Sequence, residues 1–190
     1  KSYQQLIGAG DDEMKIPDDQ GTGHFIHLNK LLYGSILKDN GLFNALDPLE
    51  RIILSDSFYD IGEYLVRLLS EETLNTRFQT VAKQIVYFAP CHQREQKIGS
   101  PYLRLLSLIS GLEIEQVGGS MDCCGMGGSL GYKKDFHDAS VSLGSSLAAK
   151  ISAHEPDIVV TDCLSCRLQF QHLLPFPVYH PLEILSYAYN

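Results

Sequence analysis

Cysteine is missing from the first 90 residues of this 190-residue chain, and none follows Cys166. No apolar run approaches the ~20 residues needed to cross a bilayer, and Lys1 to Asp12 lack the apolar stretch of a secretory leader. Neither a membrane span nor a signal peptide is expected. Positive charge is not in excess, since 15 Lys and Arg stand against 23 Asp and Glu for a formal charge of −8. That leaves no electrostatic footprint for nucleic acid. Position 1 is Lys rather than an initiating Met, so the chain reads as a fragment or a processed subunit. Hydrophobic residues at 44 % fit an ordinary globular core, and the length suits one domain or one domain plus an appendage.

Familiar catalytic motifs are also lacking. Gly21-Thr-Gly23 is too short for a phosphate loop and no Gly-Lys-Ser/Thr follows it. There is no dinucleotide-binding fingerprint, no Ser/His/Asp arrangement in a recognisable context, and no C-x2-C-x2-C-x3-C ferredoxin run.

What is present is a pattern of five cysteines: Cys91, the adjacent pair Cys123 and Cys124, then Cys163 and Cys166 two residues apart. An odd number confined to one half of a long chain argues against a disulfide framework, and neighbouring cysteines bridge each other only with strain. They can offer two sulfurs to one metal site. The Cys163/Cys166 gap lets a tight turn aim both thiolates at one metal, as in zinc and iron–sulfur sites alike. A closed zinc site takes four ligands and would leave one cysteine idle, so five sulfurs suit a larger cluster better. The bland alternative is that the cysteines are small buried hydrophobes.

Along the chain, glycines, Pro17 and the acidic run Asp11-Asp12-Glu13 favour loop over residues 1 to 24. Phe25, Ile26, Leu28, Leu31, Leu32 and Ile36 fall at near-helical intervals with Gly41 as a stop. Ser55 to Glu72 reads as an amphipathic helix with Phe58, Ile61, Tyr64, Leu65, Leu68 and Leu69 on one face. Residues 1–54 are expected to be an N-terminal helical and loop segment, a remnant of a preceding domain, and 55–190 the cysteine-rich domain. In the latter, strands are expected at 85–89, 113–117, 157–161 and 177–179, alternating with helices from Pro101 to Ser110, from Lys133 to Ala153 and from Pro181. The fold class is therefore α/β: parallel βαβ units in an open sheet with helices on both faces. Each cysteine group follows the C-terminal end of a strand, the edge at which loops of such sheets gather.

The sequence resembles the cysteine-rich CCG-domain family on specific residues. These are Pro90-Cys91-His92-Gln93-Arg94, Ile98-Gly99, Cys123-Cys124-Gly125, Gly131-Tyr132-Lys133-Lys134, Thr161 to Cys166, and His180-Pro181-Leu182-Glu183. That domain is found in subunits of heterodisulfide reductase and of anaerobic glycerol-3-phosphate dehydrogenase, and in the iron–sulfur subunit of glycolate oxidase. The resemblance implies that Cys91, Cys123, Cys124, Cys163 and Cys166 hold a non-cubane [4Fe-4S] cluster or, as an alternative, zinc. It implies an oxidoreductase subunit passing electrons from a flavoprotein dehydrogenase of glycerol-3-phosphate, glycolate or lactate type to a quinone or an iron–sulfur acceptor, alongside other iron–sulfur subunits. Two further readings are a heterodisulfide-reductase-like catalytic cluster and a structural zinc scaffold. Reduced thiols fit the cytoplasm, and a quinone acceptor would put the protein at the periphery of the inner membrane.

Around the sulfurs, Gly125, Gly127 and Gly128 would let backbone N–H groups approach metal-bound sulfur and tune its potential, or would only satisfy turn geometry. His92 is expected beside the site rather than as a ligand, Arg94 as a charge facing the cluster or an anionic partner, and Lys133 and Lys134 either as such charges or as a solvated helix start. His180 is expected near the site edge or as a satisfied structural histidine. His24 and His27 are read as surface or core histidines.

Overall fold

The computed structural model describes residues 25–26, 47–127 and 131–189. Most of the expected loop and helix before residue 47, with His24 and His27, lies outside them. The chain divides into two compact units, Lys1–Asn75 and Thr76–Asn190.

In the first unit β1 (Phe25–Ile26) pairs in parallel with β2 (Phe58–Tyr59). Helical spacing across Phe25 and Ile26 therefore gives way to a strand at those two positions. Helix α1 (Pro48–Asp56) starts on Asp47, whose carboxylate accepts from the Leu49 and Glu50 N–H groups at 2.9 and 3.1 Å. The helix expected from Ser55 to Glu72 is broken instead at Ser57, and α2 (Ile61–Ser70) begins afresh. The reason is local. Asp60 and Glu63 form a capping box, with Asp60 Oδ1 accepting from Gly62 N at 2.8 Å and Asp60 extended at φ −65°, ψ 145°. A cap of this kind specifies a helix start, so Phe58 falls in the strand before it rather than on the helix face.

The second unit is built on four parallel strands, β3 (Lys83–Phe88), β4 (Leu112–Val117), β5 (Ile158–Val160) and β6 (Val178–Tyr179), in the order β4-β3-β5-β6. Ile85, Val86, Tyr87 and Phe88 are all buried, as a strand covered on both faces must be. On one face Val86, Phe88 and Val159 pack with Leu147, Ala148 and Ile151 of α5 (His137–Ser152) and with Phe170 of α6 (Leu164–Leu173). The Phe88 and Phe170 rings meet edge to face at 5.5 Å. Alternation turns Ile85 and Tyr87 to the opposite face, where the Tyr87 hydroxyl donates to Gln93 Oε1 at 3.1 Å in α3 (Cys91–Gln96). Helices α4 (Pro101–Leu106) and α7 (Pro181–Ala188) pack on each other. The α/β class and parallel open sheet are as the sequence predicts.

Details differ. Strand β4 is one of the two sheet edges, and Glu113 and Glu115 are exposed on it, charges that discourage further strand pairing. Helix α4 ends at Leu106, short of Ser110, and the helix expected from Lys133 opens as a 3-10 turn over Lys134–Phe136. Among the described residues no helix is long and apolar enough to cross a membrane.

Phe170 is completely buried between sheet and helix. Phe170→Ala is expected to destabilise the reduced protein by about 3–5 kcal/mol in urea unfolding; a loss below about 1 kcal/mol would show that this face is not the core.

Candidate metal centre

Three loops leave the C-terminal ends of three adjacent strands. Strand β3 runs through Ala89 and Pro90 into Cys91, β4 turns through Gly118–Asp122 into Cys123, and β5 passes Thr161 and Asp162 into Cys163. Because the strands are parallel and stand in the order β4-β3-β5, all five cysteines emerge at one edge. Cys91 begins the short helix α3, and Cys163 is the N-cap of α6 with Cys166 in its first turn. The sequence alone suggests loop or turn at these positions.

The paired-cysteine loop is fixed from three sides. Asp122 Oδ2 accepts from Gly119 N at 2.7 Å and Oδ1 pairs with Lys150 Nζ at 2.7 Å. The lysine and then the Gly119 N–H hold the Asp122 carboxyl below the usual range. Arg94 donates to Ala89 O at 3.0 Å and to Asp122 O at 2.9 Å. Its guanidinium thus ties the residue before Pro90-Cys91 to the residue before Cys123. Gly125, at φ +87°, presses on α5 so closely that a Cβ would overlap the Ser140 carbonyl oxygen. Gly144 of that helix admits the Cys124 carbonyl, 2.5 Å from where its own Cβ would stand. Ser140 Oγ donates to Gly125 O at 2.9 Å, and Gln169 Nε2 of α6 donates to Ser140 O at 3.0 Å. One hydrogen-bonded chain therefore links the paired-cysteine loop to the helix that carries Cys166.

All five cysteines are free thiols. Cys124 and Cys166 are buried with their sulfurs 3.0 Å apart. The hydrogen bond from Cys166 pulls the Cys124 thiol down to about 7. Hydrogen bonds to Cys124 and Cys163, with burial, push Cys166 up, so the proton of this pair stays on Cys166. Cys163 Sγ accepts from Cys166 N at 3.5 Å. Cys166 first, and then His92 against the opposing effect of burial, bring the Cys163 thiol down to about 4. His92 answers it. Burial would lower its basicity, yet hydrogen bonds to Asp162 and Cys163 carry it up to about 10. Its Nε2 lies 3.5 Å from Asp162 Oδ2, on a carboxylate only 3 % exposed.

The structure thus brings Cys124, Cys163, Cys166 and His92 together. Cys91 is exposed at the start of α3, and Cys123, half-buried, takes a hydrogen bond at its sulfur from Gly125 N at 3.3 Å. That N–H···S contact is the kind expected of the glycines. Gly127 is exposed with open space around it, and Gly128 lies outside the described residues. Arg94 donates its guanidinium N–H groups to two backbone carbonyls, and Lys133 lies 6.0 Å from the Phe136 ring. His180 is the N-cap of α7: its Nδ1 accepts from Leu182 N at 3.1 Å, and burial lowers its basicity. Asp122, Ser140, Gly144, Lys150 and Gln169 carry the site's geometry without any sequence signal. Asp162, inside the Thr-Asp-Cys motif, is the partner of His92 that the sequence could have offered.

Among the described residues no group of three or more His, Cys, Asp or Glu is gathered closely enough to hold one metal ion. The donor set is wholly thiol, reduced and spread over three loops, which fits a centre of several metal atoms better than a single tetrahedral ion.

Residues 85–171 match the CCG cysteine-rich domain. The chain is similar to a subunit of anaerobic glycerol-3-phosphate dehydrogenase from Escherichia coli K12, with 33% identity over 105 residues, 55% of this chain and 26% of the relative. It is also similar to a subunit of the fumarate reductase (CoM/CoB) of Methanothermobacter marburgensis, with 30% identity over 138 residues, 69% of this chain and 27% of the relative. Lactate utilization protein A 2 of Bacillus cereus AH820 is 25% identical over 143 residues, 72% of this chain and 57% of the relative. The chain therefore spans only part of the length of these relatives.

Cys163 is a thiolate above its lowered value of about 4, so its alkylation by iodoacetamide in the metal-free reduced chain should stay near its maximal rate down to about pH 5. His92→Asn removes a cation beside it and should move the onset upward by about 1–2 pH units. Peptide mapping of the alkylated protein reads both; a wild-type onset near 8–9 would dismiss the ion pair.

Proposed function

We propose that this protein is an electron-transfer subunit or domain of an oxidoreductase, in which Cys91, Cys123, Cys124, Cys163 and Cys166 ligate a [4Fe-4S] cluster of non-cubane type. The observation that carries this reading is the convergence of five reduced cysteines at three neighbouring strand ends of a CCG domain. Such a cluster supplies one-electron chemistry, and the protein supplies ligation, burial and hydrogen bonds. In this reading Cys124 and Cys166 anchor the buried side, while Cys91 and Cys123 meet the centre from the more open side. The Gly125 N–H on Cys123 and the His92 imidazole beside Cys163 offset sulfur charge and so raise the potential. Arg94 keeps the Cys91 and Cys123 loops in register.

The electron donor proposed is a flavoprotein dehydrogenase subunit, acting with further iron–sulfur subunits, and the acceptor a quinone or an iron–sulfur protein. Similarity to proteins named for glycerol-3-phosphate dehydrogenase, fumarate reductase and lactate utilization supports a place in such an assembly. The proposed location is the cytoplasm, at the membrane surface where the acceptor is a quinone.

Protein purified without oxygen should hold about four iron and four acid-labile sulfide per chain and give a redox-responsive EPR signal. One zinc per chain with no sulfide would overturn the reading in favour of a structural site. Cys124→Ser should lower bound iron at least about tenfold, since it removes a buried sulfur that no other group can replace.

A further inference from the structure

The first turn of α6, with Cys163 at its cap and Cys166 within it, is tied to the rest of the domain at a buried side and at an exposed one. On the buried side Cys166 Sγ lies 3.0 Å from Cys124 Sγ, and Gln169 Nε2 donates to Ser140 O at 3.0 Å. On the exposed side the Tyr132 hydroxyl meets Ser165 Oγ at 2.5 Å, and Ser165 stands between the two cysteines in sequence. Tyr132 is 60 % exposed. Such a ring gains little from burial, so the hydroxyl is the part of the side chain that is held. The backbone delivers it there. Gly131 lies so close to Met126 that a Cβ would overlap the methionine sulfur and Cα. Met126 is itself buried, with its Sδ 3.8 Å from Ser140 Oγ of α5. Helix α5 therefore sets Met126, Met126 sets Gly131, and Gly131 puts Tyr132 beside Ser165.

We propose, resting on the reading that the five cysteines hold a metal centre, that Tyr132 is a positioning residue for the Cys163 and Cys166 sulfurs. It acts through its hydrogen bond to Ser165, which joins the segment after the paired cysteines to the turn of the later pair. Without that bond the turn is fixed on its buried side alone. Cys166 then stays in the core, whereas half-buried Cys163 at the helix cap is free to swing outward. A ligand that swings away opens a path for metal to leave, so the bond governs how long a centre is kept rather than whether it forms. Either hydroxyl can be the donor, so losing either one removes the whole contact. Tyr132→Phe and Ser165→Ala are therefore equivalent, and together no worse than singly. Ser165→Thr keeps a hydroxyl and with it the contact.

The test uses the full chain purified without oxygen, with the metal it holds, and follows release of iron or zinc to pyridylazoresorcinol. Tyr132→Phe and Ser165→Ala should each release metal about threefold to tenfold faster than wild type. The double variant should be no faster than either single one, and Ser165→Thr should match wild type. Trypsin gives a second reading that no metal enters: cleavage after the exposed Lys133 and Lys134 should quicken in Tyr132→Phe by a similar factor. Wild-type release from Tyr132→Phe would mean that the ring only packs, and would overturn the proposal. Additive effects of the two single variants, or equal cleavage of wild type and Tyr132→Phe, would overturn it too. Bound metal and acid-labile sulfide in the wild-type chain read the cluster assignment separately. A chain with neither ends that reading, and the cleavage rates then decide the tie between Tyr132 and Ser165.

Discussion

Parallel pairing of β3 with β4 on one side and with β5 on the other governs everything at the cysteine edge. Consecutive parallel strands cannot be joined by a hairpin, so each must leave the sheet at the same end and return by a crossover. Here the chain steps from β3 to β4, and then back across β3 to β5. The reversal opens a crevice between the Cys91 loop and the Cys163 loop, the place where open α/β sheets bind their ligands. His92 and Asp162 meet across that crevice at 3.5 Å. With antiparallel pairing the same cysteines would leave at opposite edges.

Bringing three loops together has a cost that the rest of the domain offsets. Among the described residues, Gln93 Nε2, Thr161 Oγ1 and Asp162 Oδ1 are buried with no hydrogen-bond partner, and each such atom costs about 1–3 kcal/mol. Gln93 lies in α3 just after the first loop, and Thr161 and Asp162 lie on the loop across the crevice. A sequence selected only for stability would have replaced or paired them. The compensation lies one layer away, where Phe88, Phe170, Leu147 and Ile151 form an apolar face with Cys124 and Cys166 embedded in it. Those two sulfurs are therefore part of the core as well as of the site, so loss of either acts on both.

Much of this is legible in the amino-acid sequence because it rests on short-range chemistry. The apolar run Ile85 to Phe88 could only be a buried strand, and cysteines placed after strands imply a shared edge. What is not legible depends on contacts distant in sequence. Nothing in Ser140 or Gly144 announces that α5 must accept the paired-cysteine loop at backbone distance, and nothing in Arg94 shows that its charge is spent on carbonyls of two loops. The break at Ser57 is readable in principle. Asp60-x-x-Glu63 is a capping box in plain view, and helical periodicity through Phe58 masks it.

The distribution of burial among the five sulfurs gives the site a direction. Cys124 and Cys166 face the core, Cys163 lies between, and Cys91 stands exposed on α3. Any centre held by all five must have one side in a medium of low polarity and another near solvent. Burial disfavours added charge on the inner side, whereas N–H donors and an imidazole at Cys123 and Cys163 favour it further out. Negative charge gained on reduction would therefore settle toward the outer sulfurs. Cys91, the sulfur open to solvent, lies on that same side. The asymmetry is fixed by strand order and by which residues lie beneath each loop, before any metal binds.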